Sequence, residues 1–258
     1  MMRSMYTAAS CMMAQQMNME NIANNISNAS TSGFTKTRVD FQELMYVQME
    51  NPGGGNSGSK VGLGVKGAGT QKVFGQENLE YTGNPFDLAI NGEGFFQVQL
   101  PDGKKVYTRY GRFDYNSDTQ EIITKQGYKL GIKIDDQKYS DVRILEDGKI
   151  MAIQKDNGEE KQVGQIKLAK FANPEGLRPV GASLYEYDPE KAGDMKLYDP
   201  GKGKTGFVKS GEIVKSNVNV IGEMMSLLQA QRSYEMAQKG VQSSDEMIRT
   251  AIQMKRGA

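Results

Sequence analysis

The chain of 258 residues contains no histidine and no tryptophan, and its single cysteine is Cys11. Histidine is the commonest acid–base catalyst and metal ligand near neutral pH. The residue that most often carries such chemistry is therefore missing, and no cofactor or metal site is expected. One cysteine cannot close an internal disulfide, so cysteine usage leaves the redox compartment open. There is no run of about 18 apolar residues, which excludes an ordinary transmembrane helix. Thr7, Ser10, Gln15 and Gln16 interrupt any apolar core of a cleavable signal, so export by that route is not expected. A net charge of +1 gives no strong pull toward nucleic acid or an anionic membrane.

Charge is scarcest at the start: through Phe34 only Arg3 and Glu20 are ionised. What stands there instead is periodic. Met5, Met12, Met19 and Ile26 recur every seven residues, with Ala9, Gln16 and Ala23 four residues after the first three. This is a helical seam of about three heptads, roughly 30 Å long. A surface helix ordinarily carries a charged outer face; this one carries Gln, Asn, Ser, Met and Ala. Met13 and Met17 lie off the seam, so the helix expects more than one neighbour. The far end repeats the pattern, with Val220, Leu227, Tyr234, Val241 and Ile248 seven apart and Ala230, Ala237, Ser244 and Ala251 among them. Asn217 or Asn219 can cap that helix, and Glu223 suits its positive end.

Between the ends the pattern changes. Asn28, Ser30, Thr31, Ser32 and Gly33 form a stop signal of poor helix formers ending in Gly. Residues 51–59, which include Gly53, Gly54 and Gly55, form a tract that packs nothing by itself. Glycines continue at Gly62, Gly64, Gly67 and Gly69 and suggest extended, irregular backbone. From about Leu79 the period becomes two, and a hairpin is expected around Pro101-Asp102-Gly103. Turn signals at short spacing as far as Gly176 suggest an antiparallel β domain. The expected architecture is α+β: terminal helices paired as a coiled-coil unit, an inserted antiparallel β domain and a Gly-rich extended connector. The expected boundaries are 1–36 for the first helix, 37–78 for the connector, 79–211 for the β domain and 212–258 for the second helix.

Motifs for chemistry fail in context. Gly62, Gly64 and Gly67 satisfy the G-x-G-x-x-G string, but no apolar strand precedes it and Gly69, not a helix, follows. Gly203-Lys204-Thr205 resembles the end of a phosphate loop, yet Tyr198 stands where its first glycine is required. The β-domain carboxylates Asp102, Asp114, Asp118, Asp135 and Asp136 mostly coincide with turns. Cys11 has no neighbouring charge to stabilise a thiolate, and the basic clusters are too small for a nucleic-acid stripe. A seam of four side chains returns little against the entropy of ordering a whole helix. The termini are therefore expected to gain stable structure among several copies.

The motifs themselves resemble a known family. NIANNISNASTSGF (residues 21–34), with Asn24, Asn25, Asn28, Gly33 and Phe34, looks like the N-terminal signature of bacterial flagellar rod and hook proteins. SNVNV (residues 216–220), with Asn217 and Asn219, and the run on to Glu235 resemble the matching C-terminal signature. DLAINGEGFFQ (residues 87–97) and YTRYG (residues 107–111) resemble the family's β domain. The nearest likeness is to the distal rod type of the basal body, and Cys11 departs from the family's usual Gly. The resemblance implies a non-enzymatic subunit that self-assembles helically into a hollow shaft and transmits torque to the hook. It implies contacts with copies of itself, with proximal rod proteins, the hook protein and surrounding ring proteins, and passage through the flagellar type III export apparatus to the periplasmic space. It makes the two seams the assembly surfaces and the Gly-rich connector, by inference, a stiffening element between layers. A proximal rod subunit of the same family is the alternative. From another class, a polysaccharide-binding β module with coiled-coil ends predicts exposed aromatic platforms, which Phe95 or Tyr110 would supply.

Overall fold

Met2–Ser27 forms one uninterrupted helix, α1, because it contains neither glycine nor proline to break the backbone ladder. In the computed structural model, which describes residues 2–49, 59–75, 78–135, 138–155 and 158–256, a single-turn helix α2 (Pro189–Ala192) and the long helix α3 (Val220–Arg256) follow. The chain divides into two compact units. One comprises Met1–Ser27, Thr37–Val73 and Val218–Ala258; the other comprises Asn28–Lys36 and Phe74–Asn217.

In the first unit α1 and α3 run antiparallel, side by side. The Ser4 and Ser244 hydroxyls are 3.3 Å apart at one end, and Asn25 donates to Glu223 at the other. Asn219 is the N-cap of α3: its Oδ1 accepts the Gly222 N–H at 3.2 Å, satisfying a first-turn donor that the helix leaves open. Residues expected to be an unpaired connector are instead a paired β arm. Thr37–Glu43 pairs antiparallel with Val65–Lys72, in register from Thr37↔Lys72 to Glu43↔Val65, with an irregularity at Asp40/Phe41. Tyr46–Met49 pairs with Ser59–Gly62. The arm lies on α1, and its glycines are what permit the approach. A Cβ on Gly64 (φ +108°) would stand 2.2 Å from Ser10 Oγ, and one on Gly67 would stand 3.0 Å from Met17 Cε.

The second unit is β-rich. Its largest sheet runs in the order Arg178–Gly181, Leu184–Glu186, Lys105–Thr108, Phe95–Gln99, Lys129–Lys133, Glu121–Thr124, Phe113–Asn116, with Leu168–Phe171 and Met195–Tyr198 joined to it off that path. The hairpin around Pro101-Asp102-Gly103 is present, in register from Phe96↔Thr108 to Gln99↔Lys105. Gly103 adopts φ +79°, a conformation that favours glycine. Leu88, Phe96, Phe113, Ile122, Ile150 and Leu168 are completely buried and form the main core. A second cluster gathers Phe95, Tyr107, Phe171 and Tyr185 in edge-to-face contacts. Two expected boundaries move. Residues 28–36 leave the helix and join the β unit, where Gly33 N–H donates to Val214 O at 2.9 Å. Residues 212–214 are a strand paired with Leu79–Tyr81, so the second helix begins at Val220 rather than 212.

One ion pair makes this unit sensitive to acid. The buried Glu121 carboxylate lies 2.7 Å from Lys129 Nζ and 3.6 Å from Lys133 Nζ. The hydrogen bond from Lys129, above all, holds its pKa below the ordinary value of 4.5. A depressed folded-state pKa contributes stability above the unfolded value and loses it as pH falls through the folded one. Because both lysines face solvent, the contribution is at most about 1 kcal/mol. Thermal melts from pH 6 to pH 3 should therefore fall less steeply for Glu121→Gln than for the unaltered chain; parallel profiles would show that the pair contributes nothing.

Candidate assembly surface

The two faces of α3 are set by its heptads. Glu223, Ala230 and Ser244 are buried, and Glu223 and Ser244 reach Asn25 and Ser4 of α1. This line of residues is the face turned to α1. Leu227, Tyr234, Val241 and Ile248 are half-buried with Ala237, and Val220, in the first turn, is exposed. On α1, Met5, Met12, Met19 and Ile26 are half-buried. Their companions are Ala8, Gln15 and Ile22, three residues on; Gln16 and Ala23, expected in that role, are exposed. The cause is that α1 has two neighbours, α3 and the β arm, so its buried arc is wider than a single seam and is centred differently.

The opposite face of α3 is apolar too. Ile221, Met224, Met225 and Leu228 are between half and three-quarters exposed, and Met236, Met247 and Met254 are exposed farther along the helix. At 100° per residue Ile221, Met224, Met225 and Leu228 lie roughly 120–180° from Ala230. From Val220 to Gln231 the only ionisable side chain is Glu223, which is buried. On α1, Tyr6 and Met13 are likewise exposed. Clustered, uncharged, protruding apolar side chains of this kind mark interaction surfaces, not ordinary monomer surface.

Asn25 holds this unit together at its closed end. Its Oδ1 accepts the Thr37 N–H at 3.0 Å, and its Nδ2 donates to Thr37 O at 2.8 Å and to Glu223 Oε2 at 3.1 Å. One carboxamide thus satisfies both backbone groups of the first arm residue, as a neighbouring strand would, and ties α1 to α3. Asn25→Ala should destabilise this unit by about 1–3 kcal/mol, because buried partners are left unpaired; urea unfolding followed by helical circular dichroism within 0.5 kcal/mol of the unaltered chain would refute that role. Asn24 is exposed. Asn28 belongs to the turn that follows α1, its carbonyl accepting from Thr31 N at 3.1 Å, and Phe34 N–H donates to Thr31 O. Gly33 adopts φ +69°, with Tyr110 only 3.0 Å from where a Cβ would be. Asn217 is not the helix cap; its Oδ1 accepts the Lys36 N–H at 2.7 Å. Of the connector glycines, Gly62 is exposed and Gly64 lies against Ser10, while Gly53, Gly54 and Gly55 fall outside the described residues.

Three stretches match described protein families. Residues 5–35 match the flagella basal body rod protein family, residues 89–152 the D1 domain of flagellar hook protein FlgE/F/G, and residues 209–254 the C-terminal region of flagellar basal body rod FlgEFG proteins. Whole-chain relatives agree. The flagellar basal-body rod protein FlgG of Borreliella burgdorferi is 38% identical, the match covering 99% of this chain and 100% of that protein. FlgG of Caulobacter vibrioides is 36% identical over 98% of this chain and 100% of its own length. The flagellar basal-body rod protein FlgF of Mesorhizobium japonicum is 30% identical over 97% and 98%. The chain belongs to the flagellar basal-body rod protein family.

Within that family assignment, the two terminal matches fall mostly on the helical unit, and the D1 match falls on the β unit. The two aromatics expected to supply a polysaccharide-binding platform are not exposed. Phe95 is 4% exposed within an aromatic cluster, and Tyr110 is half-buried against Gly33. Sequence reasoning assigned no role to Arg109, a buried guanidinium that donates to the carbonyls of Gly75, Gly92 and Gly94 and stands over the Phe95 ring. A cation inside the Tyr107–Gly111 motif was the available signal, since a buried charge demands partners.

Proposed function

We propose that this chain is the structural subunit of the distal rod of the bacterial flagellar basal body, a hollow shaft built from its own copies that carries torque to the hook. The observation that carries the reading is the doubly apolar start of α3, which uses one face for α1 and leaves the other, uncharged and protruding from Ile221 to Leu228, for neighbours. The helical pair acts as a coiled-coil unit, and its outer faces are the assembly surfaces. The high identity to FlgG relatives over their whole length supports the distal position. Proximal rod proteins, the hook protein and surrounding ring proteins are its expected partners in the periplasmic space. Ends that take final shape on assembly suit passage through a type III export channel, as segments that fold on binding do. The role is structural, not catalytic. Concentrating the purified protein and imaging it by electron microscopy tests the reading: helical tubes are expected, and discrete particles at every concentration would overturn it.

A further inference from the structure

The helical unit carries a socket as well as protrusions. Ser4, Thr7, Ala8, Cys11 and Gln15 of α1, Ser233, Met236 and Ala237 of α3 and Gly62 of the arm line an open groove of about 730 Å³. Most of its lining side chains are small, and no ionised side chain lines it. The protruding cluster Ile221, Met224, Met225 and Leu228 is large and equally uncharged. Large side chains on one patch and small ones on another fit knobs into holes, and neither patch has an ion to strip of water.

We propose that this groove is the socket for the Ile221–Leu228 cluster of a second copy of this chain. The inference rests on the self-assembly reading above and specifies which surfaces meet. Ser4 lies beside Ser244 and Asn25 beside Glu223, so Cys11 is level with Ala237. Met225 lies twelve residues along α3 from that level, which displaces the second copy by about 18 Å along the helix axes. Knob and socket are different patches of the same molecule. Such a contact does not close on itself and leaves each copy a free knob at one side and a free socket at the other, so growth is open-ended.

Cys11, the chain's single cysteine, supplies the test. Leu228 is level with Glu20 of its own α1, roughly 13 Å along the axis from Cys11, beyond the reach of a disulfide within one chain. Tubes assembled from Leu228→Cys protein and gently oxidised should run as a ladder of covalent multimers without reductant, because every copy offers both partners. Met225→Cys is the second probe should Leu228→Cys assemble poorly, and Cys11→Ser combined with either should lose the ladder. Normal tubes without a ladder from either probe, or cross-linked dimers only, would overturn the socket while leaving the self-assembly reading intact. Failure of the unaltered chain to form tubes would overturn both.

Discussion

Leu228→Asp should abolish tube formation while leaving the isolated subunit as stable as before. Leu228 is half exposed on the outer face of α3 and outside the buried core, so the substitution should shift subunit stability by no more than about 0.5 kcal/mol. In an assembled shaft the same position is covered. The loss of a buried leucine alone is about 1.5–3 kcal/mol, and a carboxylate without a partner adds to it. A weakening of about 3 kcal/mol per contact raises the concentration needed for growth by roughly 100-fold. Its neighbour separates the two faces of the helix. Leu227 is half-buried beside the α1 face, so Leu227→Asp should lower the unfolding midpoint of the helical unit itself. Sedimentation of assembled protein and thermal melts of dilute protein distinguish the pair, and equal behaviour of the two variants would dissolve the two-faced assignment.

Gly111→Ala should disrupt the β unit more than any other alanine at a glycine of similar exposure. A Cβ there would lie 1.6 Å from Leu88 O and 2.7 Å from Leu88 C. Leu88 donates its N–H to Gly111 O at 2.8 Å and is itself completely buried in the main core. The added methyl has no flexible side chain to displace; it meets backbone that the core holds in place. The expected loss is at the upper end of the overpacking range, about 3 kcal/mol or more, a large share of the roughly 5–15 kcal/mol that stabilises a domain. Gly127→Ala is the control. Nothing lies within 4 Å of its Cβ position, and its φ of +85° adds only backbone strain, about 1–2 kcal/mol. Urea unfolding followed by tyrosine fluorescence should rank Gly111→Ala well below Gly127→Ala, and a reversed order would show that the Leu88–Gly111 approach is not a fixed feature of the fold.

The long helices and the β character of the middle were legible because their signals are periodic. The heptads of α3 place Ala230 and Ser244 on the face that is buried, since that helix has one intramolecular partner along most of its length. For α1 the same arithmetic misplaced the companion line by one residue, choosing Gln16 and Ala23 over Gln15 and Ile22. A second neighbour shifts the centre of the buried arc, and no single-helix pattern reports that neighbour. The arm was hidden for a related reason. Its two outgoing strands are separated from their two partners by a glycine- and serine-rich tract, and Val65–Lys72 carries glycines where a strand usually carries branched side chains. Gly64, just before that strand, and Gly67 within it are required by the closeness of Ser10 and Met17, a tertiary fact. Asn25 and Arg109 were visible as motif residues, but their work depends on Thr37, Glu223 and three loop carbonyls that are distant in sequence or structurally unremarkable in it.

The outward stripe from Ile221 to Leu228 contains no group whose attraction ions in solution can shield. A joint made from it draws its strength from the release of water around hydrocarbon, a force that weakens on cooling and is little altered by moderate salt. Shafts joined this way would loosen in the cold and hold in brine.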